Sequence, residues 1–99
     1  MSKELEEIAK KATPVFEKYG LKYAGVFGSQ ARGDARADSD VDILVTLGEK
    51  KISLWDWVGL KDELSENLGK KVDVVSDGAI IPYFKEYIYK DLKTIYGQR

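Results

Sequence analysis

Stretches with two different apolar periods alternate along this chain, and that alternation limits its fold more than any other feature. Residues 3–19 place apolar side chains at three- and four-residue steps, through Leu5, Ile8, Ala9, Ala12, Val15 and Phe16, and Gly20 follows as a stop. This predicts a helix. Pro14 falls inside it, so a kink, or a split after Ala12, is expected. Residues 22–27 read as a strand running into Gly28-Ser29. Residues 30–39 are polar and contain Gly33, which suits a short helical turn and then a loop. Residues 41–47 form a second strand, rich in β-branched side chains. Ser53 and Asp56 resemble a capping box and Gly69 a C-terminal stop. They bound a helix whose expected apolar face is Leu54, Trp57, Val58, Leu64 and Leu68. Residues 71–75 make a third strand. Pro82 suits the first position of a helix carried by residues 83–92. Residues 93–96 are either its frayed end or a short edge strand. The pattern predicts one α/β (α+β) domain over residues 1–99, with a small mixed sheet of three or four strands and helices on one side.

The 99 residues leave no room for a second domain, and 43% apolar with 33% charged residues describes a globular chain. No uncharged stretch is long enough to cross a bilayer, so no membrane association is expected. Met1-Ser2-Lys3-Glu4 contains no apolar signal core, and a cytoplasmic protein is expected. The chain has neither cysteine nor histidine. Thiolate and imidazole chemistry and the usual zinc sites are therefore excluded. Any metal must sit among oxygens, as Mg²⁺, Mn²⁺ or Ca²⁺ do. Net charge is −1, and the basic residues occur as the isolated pairs Lys10-Lys11, Lys50-Lys51 and Lys70-Lys71. Direct nucleic-acid binding is not expected from such a pattern.

The segment from Gly28 to Val45 carries the chemistry. Side chains two apart in a strand share a face, so Val41, Ile43 and Val45 should face the core. Asp40 and Asp42 should then project together from the strand's start, with Leu44 further along the same face. Two carboxylates so placed can grip one cation or bridge two. Asp73 lies between valines in the third strand, where aspartate is disfavoured. If that strand neighbours the second, Asp73 completes a cluster of three. Two such anions about 5 Å apart repel by roughly 3 kcal/mol at an effective dielectric near 20. A divalent cation is the natural compensation; failing that, one carboxyl stays protonated. Taken alone, Asp73 could instead pair with Lys70, Lys71 or Arg32. Gly28 permits an unusual turn or a close backbone approach, and the Gly28-Ser29 turn suits phosphate oxygens. A phosphate cradle beside an acidic cluster is what phosphoryl or nucleotidyl transfer requires.

Gly28-Ser29, ten residues, Asp40-Val41-Asp42 and a later Asp73 resemble the minimal nucleotidyltransferases of the DNA polymerase β-type superfamily. Ala31, Arg32, Gly33 and Ser39 extend the likeness. The resemblance implies a polymerase β-like fold and Asp40, Asp42 and Asp73 as metal-binding catalytic residues. It also implies Mg²⁺ (or Mn²⁺) as cofactor, ATP as substrate, and Gly28 and Ser29 on the triphosphate. Arg32 is a further candidate for phosphate; a salt bridge with Asp34 or Asp38 is its alternative, and Arg36 has the same two readings. Small stand-alone members of that family often pair with helical HEPN-type toxins, and some transfer AMP to a tyrosine of the partner. The resemblance thus implies a toxin–antitoxin antitoxin acting as a protein adenylyltransferase. Neutralisation by occlusion alone and transfer to a small molecule are the alternatives. With no added substrate domain, the acceptor must lie on a partner, on another copy of the chain, or on a small molecule. Trp55 falls off its helix's apolar face, and Tyr83, Tyr87 and Ile88 form a second apolar stripe. These side chains either pack at the core's rim or meet the partner.

Overall fold

The computed structural model describes residues 2–36 and 39–98. The elements run α1 (Lys3–Lys18), β1 (Tyr23–Phe27), α2 (Ser29–Arg32), β2 (Val41–Thr46), α3 (Leu54–Leu68), β3 (Val72–Ser76), α4 (Pro82–Lys90) and β4 (Lys93–Gly97), with a 3₁₀ turn at Asp77–Ala79. The strands form one mixed sheet in the order β3-β2-β1-β4. β1 runs antiparallel to β2 and β4, whereas β2 and β3 are parallel. Parallel neighbours need a long crossover, and α3 supplies it.

Local chemistry sets the helix ends. The Ser2 hydroxyl accepts from Leu5 N at 3.2 Å and caps α1. At α3 the capping box is complete: Asp56 N donates to Ser53 Oγ at 3.1 Å, and Ser53 N donates to Asp56 Oδ2 at 3.0 Å. Gly69 closes α3 in the left-handed conformation, φ 66°. Helix α1 runs through Pro14 without interruption. Buried Ala12, Val15 and Phe16 flank the proline on both sides and hold the helix against one core, which offsets the missing backbone donor.

Helices α1 and α3 cover one face of the sheet. There Val41, Ile43, Val45, Val72, Ala24 and Val26 meet Leu5, Ile8, Phe16, Leu60 and Leu64. Ile95 of β4 joins the same cluster, and the Tyr96 ring lies 5.3 Å from that of Phe16. Residues 93–96 are thus edge strand, not frayed helix. The one-sided cover expected from sequence describes α1 and α3. α4 departs from it, because its Ile88 packs with Phe27, Leu44 and Ile80 on the opposite face.

The apolar face of α3 also differs from expectation. Leu54 and Val58 are 75% and 45% exposed, while Leu60, absent from the expected set, is fully buried. At about 100° per residue, Trp57, Leu60, Leu64 and Leu68 make one continuous stripe, and Leu54 and Val58 lie to its side. Trp55, Tyr83 and Tyr87 stand exposed, so only Ile88 of those four apolar side chains is core. Among the described residues no helix is long and apolar enough to cross a membrane.

Candidate active site

The register of β2 against β3 brings the sequence's acidic residues together. Val41 pairs with Val72, Asp42 with Asp73, and Ile43 with Val74. Alternation turns the flanking apolar residues into the α1/α3 core and the two aspartates to the other face. In-register neighbours on adjacent strands lie about 4.8 Å apart. Asp40 immediately precedes β2 and shares the parity of Asp42. All three carboxylates therefore sit on the side of the sheet that α1 and α3 leave open, each partly exposed.

The electrostatics follow from that placement. The Asp42 carboxyl is pushed above the usual carboxylate range, first by partial burial and then by the charges of Asp73 and Asp40; the Arg32 guanidinium works in the opposite direction. The charged form of Asp42 is thus disfavoured where it stands. The cation in contact with Asp73 is Lys61 of α3, Nζ to Oδ1 3.6 Å. Lys70, Lys71 and Arg32, the partners weighed from sequence, do not fill that place.

Gly28 stands directly against this group. Its backbone, φ 77° and ψ −153°, lies where essentially only glycine resides. A Cβ there would meet Asp42 Oδ2 at 2.5 Å. The bare Cα is what leaves space around that oxygen. Ser29 opens α2, and the Gly28 carbonyl accepts from the N–H groups of Ala31 and Arg32, both at 3.1 Å. Arg32 Nε and Nη1 donate to Asp34 Oδ2 and Asp91 Oδ2, each at 3.1 Å, so its guanidinium is held at the rim of the site. Asp38, the other carboxylate weighed for Arg32 and Arg36, lies outside the described residues.

The donor set fits a hard, oxygen-preferring cation. The side chains paired in register across β2 and β3 are carboxylates, and the glycine leaves space beside one oxygen of Asp42. Among the described residues no group of three or more acidic side chains is placed to hold a metal ion by itself. A Mg²⁺ arriving on a nucleotide needs only one or two protein carboxylates, the remaining ligands being phosphates and water. Sequence reasoning missed Lys61 and Asp91. Both act across the fold, Lys61 on Asp73 and Asp91 on Arg32, and no local spacing announces such contacts.

Comparison with known proteins shows the family. A family model described as polymerase β nucleotidyltransferase matches residues 10–99. A relative from Methanocaldococcus jannaschii, provisionally named a protein adenylyltransferase, is 47% identical over 87 residues, covering 88% of this chain and 92% of its own. A solved structure provisionally described as a minimal nucleotidyltransferase is 35% identical, with a TM-score of 0.73 and 86% of each chain covered. The same fold recurs, at 18% identity and a TM-score of 0.73, in the complex of tri-AMPylated Shewanella oneidensis HEPN toxin with MNT antitoxin, over 95% of this chain and 73% of that one. The chain is an enzyme that transfers nucleotidyl groups, and it belongs to the polymerase β-type nucleotidyltransferase family.

Proposed function

We propose that this enzyme moves AMP from ATP onto a hydroxyl of a partner protein, with a helical HEPN-type toxin as the partner and neutralisation of that toxin as the outcome. The observation that carries the reading is the in-register pair Asp42–Asp73 beside the bare Cα of Gly28. The names of the similar proteins support it: protein adenylyltransferase for the archaeal relative, and an AMPylated toxin with its antitoxin for the structural neighbour.

In this reading Asp40 and Asp42 hold Mg²⁺ with the triphosphate, and Asp73 completes the acidic set on the acceptor side. Gly28 lets the phosphates approach the backbone, with Ser29 beside them. Arg32 at the rim faces the same charge. The metal supplies neutralisation of phosphate charge. The acceptor oxygen bonds to the α-phosphorus, the bond from that phosphorus to the β-phosphate oxygen breaks, and pyrophosphate leaves. Asp73 receives the acceptor's proton. With both members of a carboxylate pair needed ionised for metal, the raised Asp42 carboxyl makes binding weaker in acid.

The test is incubation of the protein with Mg²⁺, ATP and a co-expressed helical partner, read by intact mass. An adenylyl mass on the partner, absent with Asp42→Asn, is expected. A protein that binds ATP yet leaves every partner hydroxyl unmodified would refute the transfer. The exposed side chains Ile81, Tyr83, Phe84 and Tyr87 favour a second reading, neutralisation by contact alone. In that case Asp42→Asn would neutralise the toxin as well as the parent protein does.

A further inference from the structure

Lys61 joins the helical layer to the carboxylate face. It lies on α3, four residues after Trp57 and three before Leu64, in the layer that covers Val72 and Val74. Asp73 points to the other side of the sheet. β3 is an edge strand, so a four-carbon stem can pass around it. Lys61 Nζ stops 3.6 Å from Asp73 Oδ1, with both side chains more than two-fifths exposed, 43% and 45%. Among the described residues this is the one ion pair made by Asp40, Asp42 or Asp73.

We propose that Lys61 is a positioning residue that occupies the cation's place beside Asp73 before Mg²⁺-nucleotide arrives, and so sets the affinity of the site for metal. The proposal rests on the reading of the three aspartates as the metal-binding set. An ammonium relieves the Asp42–Asp73 repulsion by one charge, whereas a divalent ion relieves it by two and coordinates both oxygens. The lysine therefore competes with free metal and yields to metal carried on a triphosphate. Its long, solvent-reaching stem suits displacement, because the departing ammonium returns to water without leaving a buried charge.

The experiment is a Mn²⁺ titration of nucleotide-free protein at one pH, followed by the magnetic resonance of free Mn²⁺, on the parent protein and on Lys61→Met, Lys61→Gln, Lys61→Arg, Asp42→Asn and Asp73→Asn. Removing the competing charge in Lys61→Met and Lys61→Gln should tighten Mn²⁺ binding by up to about fivefold, the fold-change equivalent to about 1 kcal/mol for an exposed pair. Lys61→Arg should bind as the parent does, and Asp73→Asn should bind more weakly. Thermal melting of the same samples registers any loss of fold, and a purely structural lysine would move melting without tightening metal. Unchanged or weaker Mn²⁺ binding in both charge-removed variants, with Asp73→Asn still weakened, overturns the role of Lys61 and leaves the metal site standing. Mn²⁺ binding indifferent to both Asp42→Asn and Asp73→Asn overturns the metal site itself, and the role of Lys61 with it.

Discussion

Replacing Gly28 with alanine adds one methyl group at the point where the glycine turn meets Asp42, and the structure sets the cost. The backbone there, φ 77° and ψ −153°, is a conformation in which a side chain costs on the order of 1–3 kcal/mol. The new Cβ would also lie 2.5 Å from Asp42 Oδ2 and 3.5 Å from its Cγ. Clearing the first contact requires Asp42 to turn, and an off-rotamer side chain adds roughly 0.5–1.5 kcal/mol. The sum is about 1.5–4.5 kcal/mol. At about 4–8 °C per kcal/mol for a domain of this size, the melting temperature should fall by roughly 6–36 °C. Turnover should fall further than stability does, since the side chain displaced is one of the carboxylates proposed to hold the metal. A double-mutant cycle separates the two parts. Asp42→Ala removes Oδ2 and Cγ and leaves only its Cβ, 3.8 Å from the new methyl. In that background Gly28→Ala should cost about 1 kcal/mol less. Thermal melts of the four proteins supply the stabilities, and adenylyl transfer by intact mass supplies the activity. An alanine variant that melts within about 0.5 kcal/mol of the parent, on the scale of an ordinary surface substitution, and keeps its turnover refutes the reasoning. Equal costs in both backgrounds would refute the collision with Asp42.

Asp42→Asn should abolish transfer yet raise the melting temperature of metal-free protein at neutral pH. The Asp42 carboxyl is pushed up by burial and by Asp73 and Asp40, so the folded protein holds that proton more tightly than the unfolded chain. Its contribution to stability therefore falls as pH rises from the unfolded value through the folded one, and the penalty persists above. Melts across the acid range should show a flatter slope for the asparagine variant, and a variant less stable than the parent at neutral pH contradicts the argument. Ser53→Ala removes the hydroxyl that accepts from Asp56 N at 3.1 Å; denaturant unfolding should report a loss of about 1 kcal/mol with turnover per folded molecule unchanged. Gly59→Ala would gain up to about 1 kcal/mol in an exposed helix, but here the Cβ would lie 2.7 Å from the Tyr19 hydroxyl, which donates to Glu63. A net destabilisation is expected in the same unfolding measurement, and a stabilised variant would show that the hydroxyl moves freely.

Local signals in the sequence carried the elements well. The capping residues Ser53 and Gly69 marked α3 to the residue, because caps are decided by atoms within one turn. Alternation in residues 41–47 told which side chains of β2 enter the core, because strand period is a local property. What depended on the third dimension was less legible. The face of α3 was misread at Leu54, Val58 and Leu60, since an apolar residue near a helix start can lie beside the packed stripe. Pro14 suggested a break that packing on both sides overrides. Within the candidate site, the likeness of Gly28-Ser29 and Asp40-x-Asp42 to a known motif supplied the residues, whereas the pairing of Asp42 with Asp73 rested on a conditional: that the two strands be neighbours. Lys61 was invisible because its partner lies twelve residues away, across the edge of the sheet.

The parallel pairing of β2 and β3 has a consequence for how freely this protein can change. The offset between Asp42 and Asp73 is locked by the interlocking of Val41 with Val72 and Ile43 with Val74, and a one-residue slip would expel those side chains from the interior. The connecting excursion through α3 is tied to that alignment on its inner face: Leu60 and Leu64 pack in the same core, Ser65 Oγ accepts from Val72 N at 3.2 Å, and Lys61 reaches Asp73. Its exposed positions, among them Leu54, Trp55 and Val58, can change while that inner face is kept. Diversification of partner choice therefore has a natural home on the exposed face of α3, where side chains can change without disturbing Leu60, Lys61 or Leu64.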